Sequence, residues 1–290
     1  MKRNIILILL TAVLVLGSLG LCALYQENLR CRTELAVTHY RLETDLTKNI
    51  RIVQLTDLHS HRFGERNEAL IQSVLVQRPD LICMTGDMVD RSSENFDVVC
   101  DLIRDLSVKV PVYCCYGNHE INYMEKTGIS MTESLEDAGA IVLDTDYLDT
   151  EIHGQAVRIG GYHGYYRQPG MYSIPPEQGK KELDFAVSFE DTDRFKLLLC
   201  HIPTPWVDWG YINQFPVDLV LSGHYHGGQI RLPLLGPLYA PYIGFFPENT
   251  EGLFTGTEAM CVLSRGLGSS PGQPRLNNLP EVVVIDLIPK

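Results

Sequence analysis

The chain has 290 residues, of which 45% are hydrophobic and 21% are charged, a composition that excludes collagen-like, coiled-coil and disordered proteins. The balance of 24 Lys and Arg against 36 Asp and Glu gives a net charge of -12 without a basic cluster, which argues against a nucleic-acid partner. Any phosphate chemistry would therefore need a locally positive site, and bound metal ions are the obvious source of that charge.

The N-terminal segment predicts a transmembrane anchor. Residues 5–24 contain no charge, and as a helix that rises about 1.5 Å per residue they would cross a hydrocarbon core of about 30 Å. Lys2 and Arg3 precede this run directly and favour a cytoplasmic N-terminus, although Arg30 and Arg32 follow it. We therefore expect a single-pass protein whose folded domain lies outside the cytoplasm.

A cleaved signal peptide is the alternative interpretation of the same segment. Its apolar region would be residues 5–16, and the small residues Ser18 and Gly20 would form the cleavage site. A lipoprotein site at Cys22 fits less well, because Leu21 is bulky where a small residue is usual. With the anchor retained, the chain divides into a tail (1–4), the anchor (5–24), a juxtamembrane linker with the first strand (25–48) and the main domain (49–290).

The eight cysteines are predicted to be free thiols. No C-x-x-C spacing occurs, so neither a zinc knuckle nor a thioredoxin-type redox pair is indicated. Most of them lie inside or at the ends of apolar strand-like runs, where cysteine behaves as a small buried hydrophobe. These positions are Cys83, Cys114, Cys115, Cys200 and Cys261.

From residue 50 onward, short apolar runs alternate with amphipathic segments, the pattern of a layered α/β fold. We predict strands at 34–42, 50–56, 80–85, 110–116, 140–143, 153–162, 195–200, 217–222, 259–264 and 281–288. We predict helices at 66–77 and 96–106, and a short helix that a Ser130-x-x-Glu133 capping box opens and Gly139 ends. Residues 162–176 and 233–257 are predicted to form surface loops over one end of the sheet.

Five apolar strands finish in residues that bind metals. In chain order, these residues are Asp57 and His59, then Asp87 and Asp90, then Asn118 and His119, then His201, and finally His224 and His226. In an open α/β sheet the carboxyl ends of the strands converge on one crevice, so residues far apart in sequence can form one site. Carboxylate and amide oxygens mixed with imidazole nitrogens suit Mn, Fe or Zn, whereas an all-oxygen set would suit Mg or Ca.

Each of these clusters has an ordinary structural explanation when taken alone. The carboxylate of Asp57 could cap a helix, and Asp87 and Asp90 follow a strand where turn chemistry favours Asp. His224 and His226 could simply face solvent. The joint occurrence of all five clusters, each directly after an apolar strand, favours one metal site over five unrelated coincidences.

This ordered set resembles the calcineurin-like metallophosphoesterase superfamily, from about residue 50 to residue 287. The N-terminal anchor, the GHYHGGQ motif and the ending RGLGSSPGQPRLNNLPEVVVIDL resemble the bacterial membrane-anchored branch, which includes enzymes similar to UDP-2,3-diacylglucosamine pyrophosphatase. The resemblance implies a four-layer α-β-β-α sandwich of two mixed sheets flanked by helices, with the site along one edge. It also implies two divalent metal ions per chain.

The resemblance implies a role for each residue that matches the family motifs. Asp57, His59, Asp87 and His226 would hold the first metal, and Asp87, Asn118, His201 and His224 would hold the second. Asp87 would therefore bridge the two metals, which would activate a water for in-line attack on phosphorus. His119 would assist the leaving group, and Asp90 would orient His119 and keep it protonated.

Some positions depart from the family pattern. Arg91 resembles a phosphate-contacting arginine, but Ser92 follows where that pattern has Gly, so an exposed Arg91 without a role is the alternative. Tyr225 puts a bulky ring between His224 and His226, where the usual motif is GHTHGGQ. His61 and His163 are additional histidines that we expect to face solvent or to lie in a loop. Two sets of residues either form an apolar rim for an acyl chain or pack locally. They are Tyr162, Tyr165, Tyr166 and Tyr172 with Met171, and the pair Trp206 and Trp209.

The function predicted from these features is hydrolysis of phosphodiester or pyrophosphate bonds, in lipid or cell-envelope intermediates, at the outer face of a bacterial cytoplasmic membrane. A phosphomonoesterase or phosphoprotein phosphatase is the alternative within the same class, because the same metals serve both. A membrane-anchored metal-binding sensor without turnover is the alternative from another class. The presence of His119 argues against the sensor.

Overall fold

The computed structural model describes residues 2–164, 176–240 and 243–290. Its N-terminal helix α1 (Lys2–Thr33) has exposed apolar side chains from Ile5 to Leu24, and by length and composition it could cross a membrane, a test that a signal sequence also passes. The helix continues past Leu24 to Thr33, into the segment 25–48 that we predicted to contain the juxtamembrane linker and the first strand. An ion pair between Arg30 and Glu27 (2.9 Å), one helical turn apart, supports this extension.

The described part of the main domain contains two six-stranded sheets. The first sheet has the order β1 (Ala36–Thr44), β16 (Glu281–Pro289), β2 (Ile50–Leu55), β3 (Leu81–Thr85), β4 (Val112–Cys115) and β5 (Ala140–Val142). The second sheet has the order β14 (Gly252–Thr255), β15 (Met260–Leu263), β9 (Leu219–Ser222), β8 (Phe195–Cys200), β7 (Gln155–Tyr162) and β6 (Asp146–Ile152). Both sheets are mixed: β2 to β5 run parallel, whereas β16 is antiparallel to β2 and β6 is antiparallel to β7.

Helices cover the outer face of each sheet. The helices after α1 are α2 (Glu68–Leu75), α3 (Asp97–Ser107), α4 (Asn118–Thr127), α5 (Thr132–Asp137), α6 (Pro176–Glu190) and α7 (Thr204–Val207). Four two-residue strands form two hairpins: β10 (Arg231–Leu232) with β11 (Gly236–Pro237), and β12 (Tyr239–Ala240) with β13 (Gly244–Phe245). Short 3-10 turns lie at Tyr211–Asn213 and His226–Gly228.

The apolar side chains form three main layers of core, because successive residues of a strand point to opposite faces of its sheet. In β2, Ile50 and Ile52 pack between the two sheets, whereas Val53 and Leu55 pack under α2 and α3. On the far side, Phe189 of α6 packs against the second sheet. The chain therefore has the predicted α-β-β-α order of layers, and the fold prediction is confirmed.

Most predicted elements are present, and the exceptions have local causes. The predicted capping box does not form: α5 begins at Thr132, after Met131, without a side-chain cap. The strand β6 and the helices α4 and α6 were not predicted, because their segments are polar and lack a strong apolar period. All eight cysteines lie within the described ranges and are free, and seven of them are buried.

Candidate metal centre

The predicted ligands gather at the edge where the strands of both sheets end. Asp57 and His59 follow β2, Asp87 follows β3, His201 follows β8, and His224 follows β9. Two hydrogen bonds join the sheets there. Gln54 donates to the Ser222 carbonyl at 2.9 Å, and His201 Nδ1 donates to the Thr85 carbonyl at 2.8 Å.

Three groups of buried side chains have ligand atoms within 4.8 Å of one another. These groups are Asp57, His59 and His226; His59, Asp87 and His119; and Asp87, His201 and His224. In the first group, His226 Nε2 lies 3.2 Å from His59 Nε2 and 3.3 Å from Asp57 Oδ1. In the third, His201 Nε2 lies 3.2 Å from Asp87 Oδ2 and 3.2 Å from His224 Nδ1. Together, the three groups contain every predicted metal ligand except Asn118.

Asp87 connects these groups. Its Oδ2 atom lies 3.2 Å from His201 Nε2 and 4.0 Å from the Nε2 atoms of both His59 and His119. Burial disfavours the charged carboxylate, but the surrounding imidazoles of His201, His119 and His59 hold the pKa of Asp87 well below its usual range. An ionised carboxylate at the shared position is what a bridging ligand requires.

Asn118 is the predicted ligand that the three groups lack. Its Oδ1 atom is buried and has no hydrogen-bond partner among the described residues. An uncompensated buried carbonyl oxygen is costly in a folded protein, and a bound cation would satisfy it. This orphan oxygen, together with the mixed carboxylate and imidazole donors, shows that the residues present fit a pair of transition-metal or zinc ions.

The backbone at the centre is held in an unusual conformation. Five of the predicted ligands have positive φ angles. They are Asp57 (53°), His59 (49°), Asp87 (50°), His224 (74°) and His226 (49°). Non-glycine residues adopt this left-handed region at a cost, and such strained positions cluster at functional sites.

Two of the buried imidazoles in the centre, those of His224 and His226, are available as neutral ligands. Burial and the neighbouring His201 lower the pKa of His224 to about 3, and burial with His59 holds the pKa of His226 well below its usual range. Asp87 raises the pKa of His201 to about 10 against the effect of burial, so a proton and a cation compete for that nitrogen. His226 Nδ1 lies 3.3 Å from the Gly268 carbonyl, and this bond orients Nε2 toward the centre.

His119 lies beside the centre, and two groups contact its Nδ1 atom. The Arg91 backbone N–H donates to this nitrogen at 3.1 Å, and Asp90 Oδ2 lies 3.2 Å from it. Asp90 Oδ2 also lies 3.4 Å from His59 Nδ1, so this carboxylate contacts two rings rather than one. Burial lowers the pKa of His119 below its usual value, against the opposing effect of the carboxylates of Asp87 and Asp90.

Sequence reasoning gave Glu120 no role, although it belongs to the same GNHE motif. This buried carboxylate accepts three backbone hydrogen bonds, from Asp87 N (2.8 Å), Val89 N (2.9 Å) and Gly117 N (2.8 Å). It therefore fixes the loop after β3 to the start of α4. The signal in the sequence was its position three residues after Gly117, where an acidic side chain reaches back to the first turn.

The residues that depart from the family pattern lie around the centre without entering it. Tyr225 is fully buried, and its hydroxyl contacts Thr204 (2.6 Å) and Asp208 (2.7 Å). His61 Nε2 donates to the Arg32 carbonyl at 2.7 Å, which was not predicted. The Arg91 side chain is exposed.

The remaining aromatic candidates divide between the core and the surface. Tyr162 and Trp206 are buried in the core beneath α6, and Trp209 is 37% exposed. His163 lies 3.4 Å from Asp144 and belongs to none of the three groups above. The predicted rim residues Tyr165, Tyr166, Met171 and Tyr172 lie outside the described residues.

A sequence model of the calcineurin-like phosphoesterase family matches residues 50–228, the stretch from β2 to the 3-10 turn that contains His226. The chain belongs to this family. The match includes every residue of the three metal-binding groups. The predicted family and the prediction of an enzyme that hydrolyses phosphoester bonds are thereby confirmed.

Similar proteins include two bacterial relatives of nearly full coverage. The uncharacterized metallophosphoesterase YkuE of Bacillus subtilis (strain 168) is 29% identical over 243 residues, which cover 82% of this chain and 78% of YkuE. Phosphodiesterase YaeI of Escherichia coli (strain K12) is 30% identical over 249 residues, which cover 82% of each chain. A solved 5'-nucleotidase precursor from Thermus thermophilus has a TM-score of 0.48 at 14% identity, and the match covers 83% of this chain and 54% of that protein. This chain therefore spans about half the length of that nucleotidase precursor.

Proposed function

We propose that this chain is a membrane-attached, binuclear metal-dependent phosphodiesterase. The observation that carries the proposal is one buried carboxylate, Asp87, placed between two clusters of histidine and aspartate side chains. The donors for one cation would be Asp57, His59, Asp87 and His226, and those for the other would be Asp87, Asn118, His201 and His224. Two such cations, when bound, activate a water and neutralise charge on the phosphoryl oxygens.

His119 would act as the hydrogen-bond donor to the leaving oxygen. Because its Nδ1 atom accepts the Arg91 N–H, the neutral ring carries its proton on Nε2, the atom that faces Asp87. Asp90 would orient the ring once the ring is protonated, because its Oδ2 atom, 3.2 Å from Nδ1, can then accept the Nδ1–H. The exposed side chain of Arg91 would contact the substrate phosphate from the rim.

We propose phosphodiester or pyrophosphate bonds in lipid or cell-envelope intermediates as the substrates. Helix α1 supports this choice, because attachment to a bacterial cytoplasmic membrane, with the domain outside the cytoplasm, would keep the site near lipid-linked compounds. The name phosphodiesterase carried by the Escherichia coli relative supports the bond type. Manganese, iron or zinc are the cations that the mixed donor set favours.

The test is metal content per chain measured with turnover of bis(p-nitrophenyl) phosphate and p-nitrophenyl phosphate. We expect two bound metals, hydrolysis of the diester after manganese is added, and a raised KM for Arg91→Ala. A preference for the monoester would replace the diesterase assignment with a phosphatase. Two metals without turnover of either compound would favour the sensor, and a chain that binds no metal after reconstitution would contradict the proposal.

A further inference from the structure

Two exposed apolar hairpins follow the last metal-binding histidine. No charged residue occurs between Leu232 and Pro247, a segment that contains most of both hairpins. At the tip of the first hairpin, Leu234 is 106% exposed and Leu235 is 69% exposed. In the second, Phe245 is 72% exposed and the adjoining Phe246 is 59% exposed. Single exposed apolar residues are common, but leucine and phenylalanine pairs on adjacent hairpins indicate an interaction surface.

The base of the first hairpin is joined to helix α1 where its apolar run ends. Asn277 links the two: its backbone N–H donates to Glu27 Oε1 at 3.1 Å, and its side chain donates to the Arg231 carbonyl at 2.9 Å. Glu27 lies three residues after Leu24, a rise of about 4.5 Å along the helix. Leu234 lies three residues after Arg231, a reach of about 10 Å. The base of the hairpin therefore lies near the point where α1 would enter a bilayer, and the tip is within about 10 Å of that base.

The same hairpin is attached to the metal centre. The Arg231 guanidinium donates to the Gly227 carbonyl at 3.0 Å, one residue after the ligand His226. Asn278, which adjoins Asn277, donates from its side chain to the His226 carbonyl at 2.7 Å. A surface in contact with the hairpins would therefore lie close to the metal centre.

We propose that these apolar hairpins insert into the lipid interface beside helix α1. The inference rests on the membrane attachment in the proposed function and names the surface through which the domain contacts the bilayer. Lipid fits better than a protein partner, because the apolar residues are highly exposed and the first of the two hairpins is joined to the anchor helix. The net charge of -12 disfavours electrostatic adsorption to anionic lipid, so burial of the leucine and phenylalanine side chains supplies the attraction.

Spin labels on the full chain in phosphatidylcholine vesicles test the contact. Cys22 is the one exposed cysteine in the part of the chain that the structure describes, so Cys22→Ser provides a background for Leu234→Cys and for Phe246→Cys. Val108→Cys is the matched control, because Val108 is 72% exposed and precedes β4, at the end of that strand remote from the centre. We expect nitroxides at 234 and 246 to collide several-fold more often with oxygen, relative to a water-soluble nickel complex, than the nitroxide at 108. Equal ratios at all three positions, or label–label coupling between copies without oxygen exposure, would overturn the inference.

Kinetics separate this inference from the proposed function. The double variant Leu234→Asp with Leu235→Asp should hydrolyse soluble bis(p-nitrophenyl) phosphate at the wild-type rate, because neither residue touches the centre. Its turnover of a phosphodiester embedded in vesicles, such as a p-nitrophenyl phospholipid, should fall several-fold. An unchanged rate on the vesicle substrate would contradict the docking surface, whereas wild-type protein inactive on the soluble diester would contradict the proposed function instead.

Discussion

Asp87 lies between the two halves of the candidate centre. Its two oxygens have separate tasks: Oδ1 accepts the His119 backbone N–H at 2.8 Å, and Oδ2 faces His59 and His201. We predict that Asp87→Asn abolishes binding of both metals, because the amide lacks the charge that offsets two cations. Mass spectrometry of metal content measures this directly. Asp144→Asn is the matched control and should keep both metals, since Asp144 contacts His163 outside the centre. Loss of only one metal in Asp87→Asn would show that Asp87 does not bridge.

His119 should affect turnover without affecting metal content. Because its Nε2 atom lies 4.0 Å from Asp87 Oδ2, beside the ligand set, we predict that His119→Ala retains both metals and loses roughly 10²-fold in kcat. His163→Ala is the matched control, since His163 pairs with Asp144 outside the centre. Wild-type kcat in the His119 variant would refute its role with the leaving group.

The loop after β3 is held in place by hydrogen bonds to Glu120, at the start of helix α4. Glu120 accepts three backbone N–H groups with two oxygens, and an amide oxygen alone cannot accept all of them. We predict that Glu120→Gln lowers the free energy of unfolding by about 1–3 kcal/mol, because a buried N–H group loses its acceptor. Thermal or urea unfolding measures the change. Glu120→Asp, which keeps the charge on a shorter side chain, is the comparison variant. Equal stability of the Gln variant and wild type would show that Glu120 does not hold the loop to the helix.

The turn after β9 approaches the loop after β2 so closely that only glycine fits. A Cβ atom on Gly223 would overlap Thr56 Oγ1 and Asp57 Oδ2. We predict that Gly223→Ala destabilises the fold by about 1–3 kcal/mol and weakens metal binding, because Asp57 must shift. Metal titration measures the change in affinity, and thermal or urea unfolding measures the change in stability. Gly164→Ala is the control, since its added Cβ would meet nothing closer than 3.5 Å. Similar behaviour of the two variants would disprove the close approach.

Sequence patterns predicted the elements whose signals are local. Apolar runs gave β2, β3 and β4, and the ligands Asp57 and Asp87 could be identified because they follow those runs directly. Helix α4 was missed because its segment is polar. Glu120 was missed because two of its three partners, the backbone N–H groups of Asp87 and Val89, are remote in sequence. The layers of the sandwich followed from the family resemblance, whereas contacts between remote parts of the chain had no local pattern to reveal them.

At the scale of the whole molecule, the longest-range contacts join the N-terminal helix to the C-terminal part of the domain. Cys31 is 1% exposed, and its sulfur accepts the Asn278 N–H at 3.4 Å. Asn28 accepts the Arg275 N–H at 3.2 Å, and Arg275 in turn donates to four backbone carbonyls around Gly268. The last turns of α1 therefore contact the folded domain, and we propose that they belong to it rather than to a linker.

Two truncations distinguish a folded helix end from a linker. A chain that starts at Tyr25 keeps Glu27, Asn28 and Cys31, whereas one that starts at Leu35 loses them together with the bond between Arg32 and His61. We predict that the shorter chain loses about 1–3 kcal/mol of unfolding free energy, because buried groups near Asn278 lose their partners. It should also bind metal more weakly, because His61, which loses its bond to Arg32, is two residues from the predicted ligand His59. Thermal unfolding with and without manganese measures both effects, and the chain that starts at Tyr25 is the control. Equal melting temperatures and metal affinities would mean that the helix end rests on the domain without stabilising it.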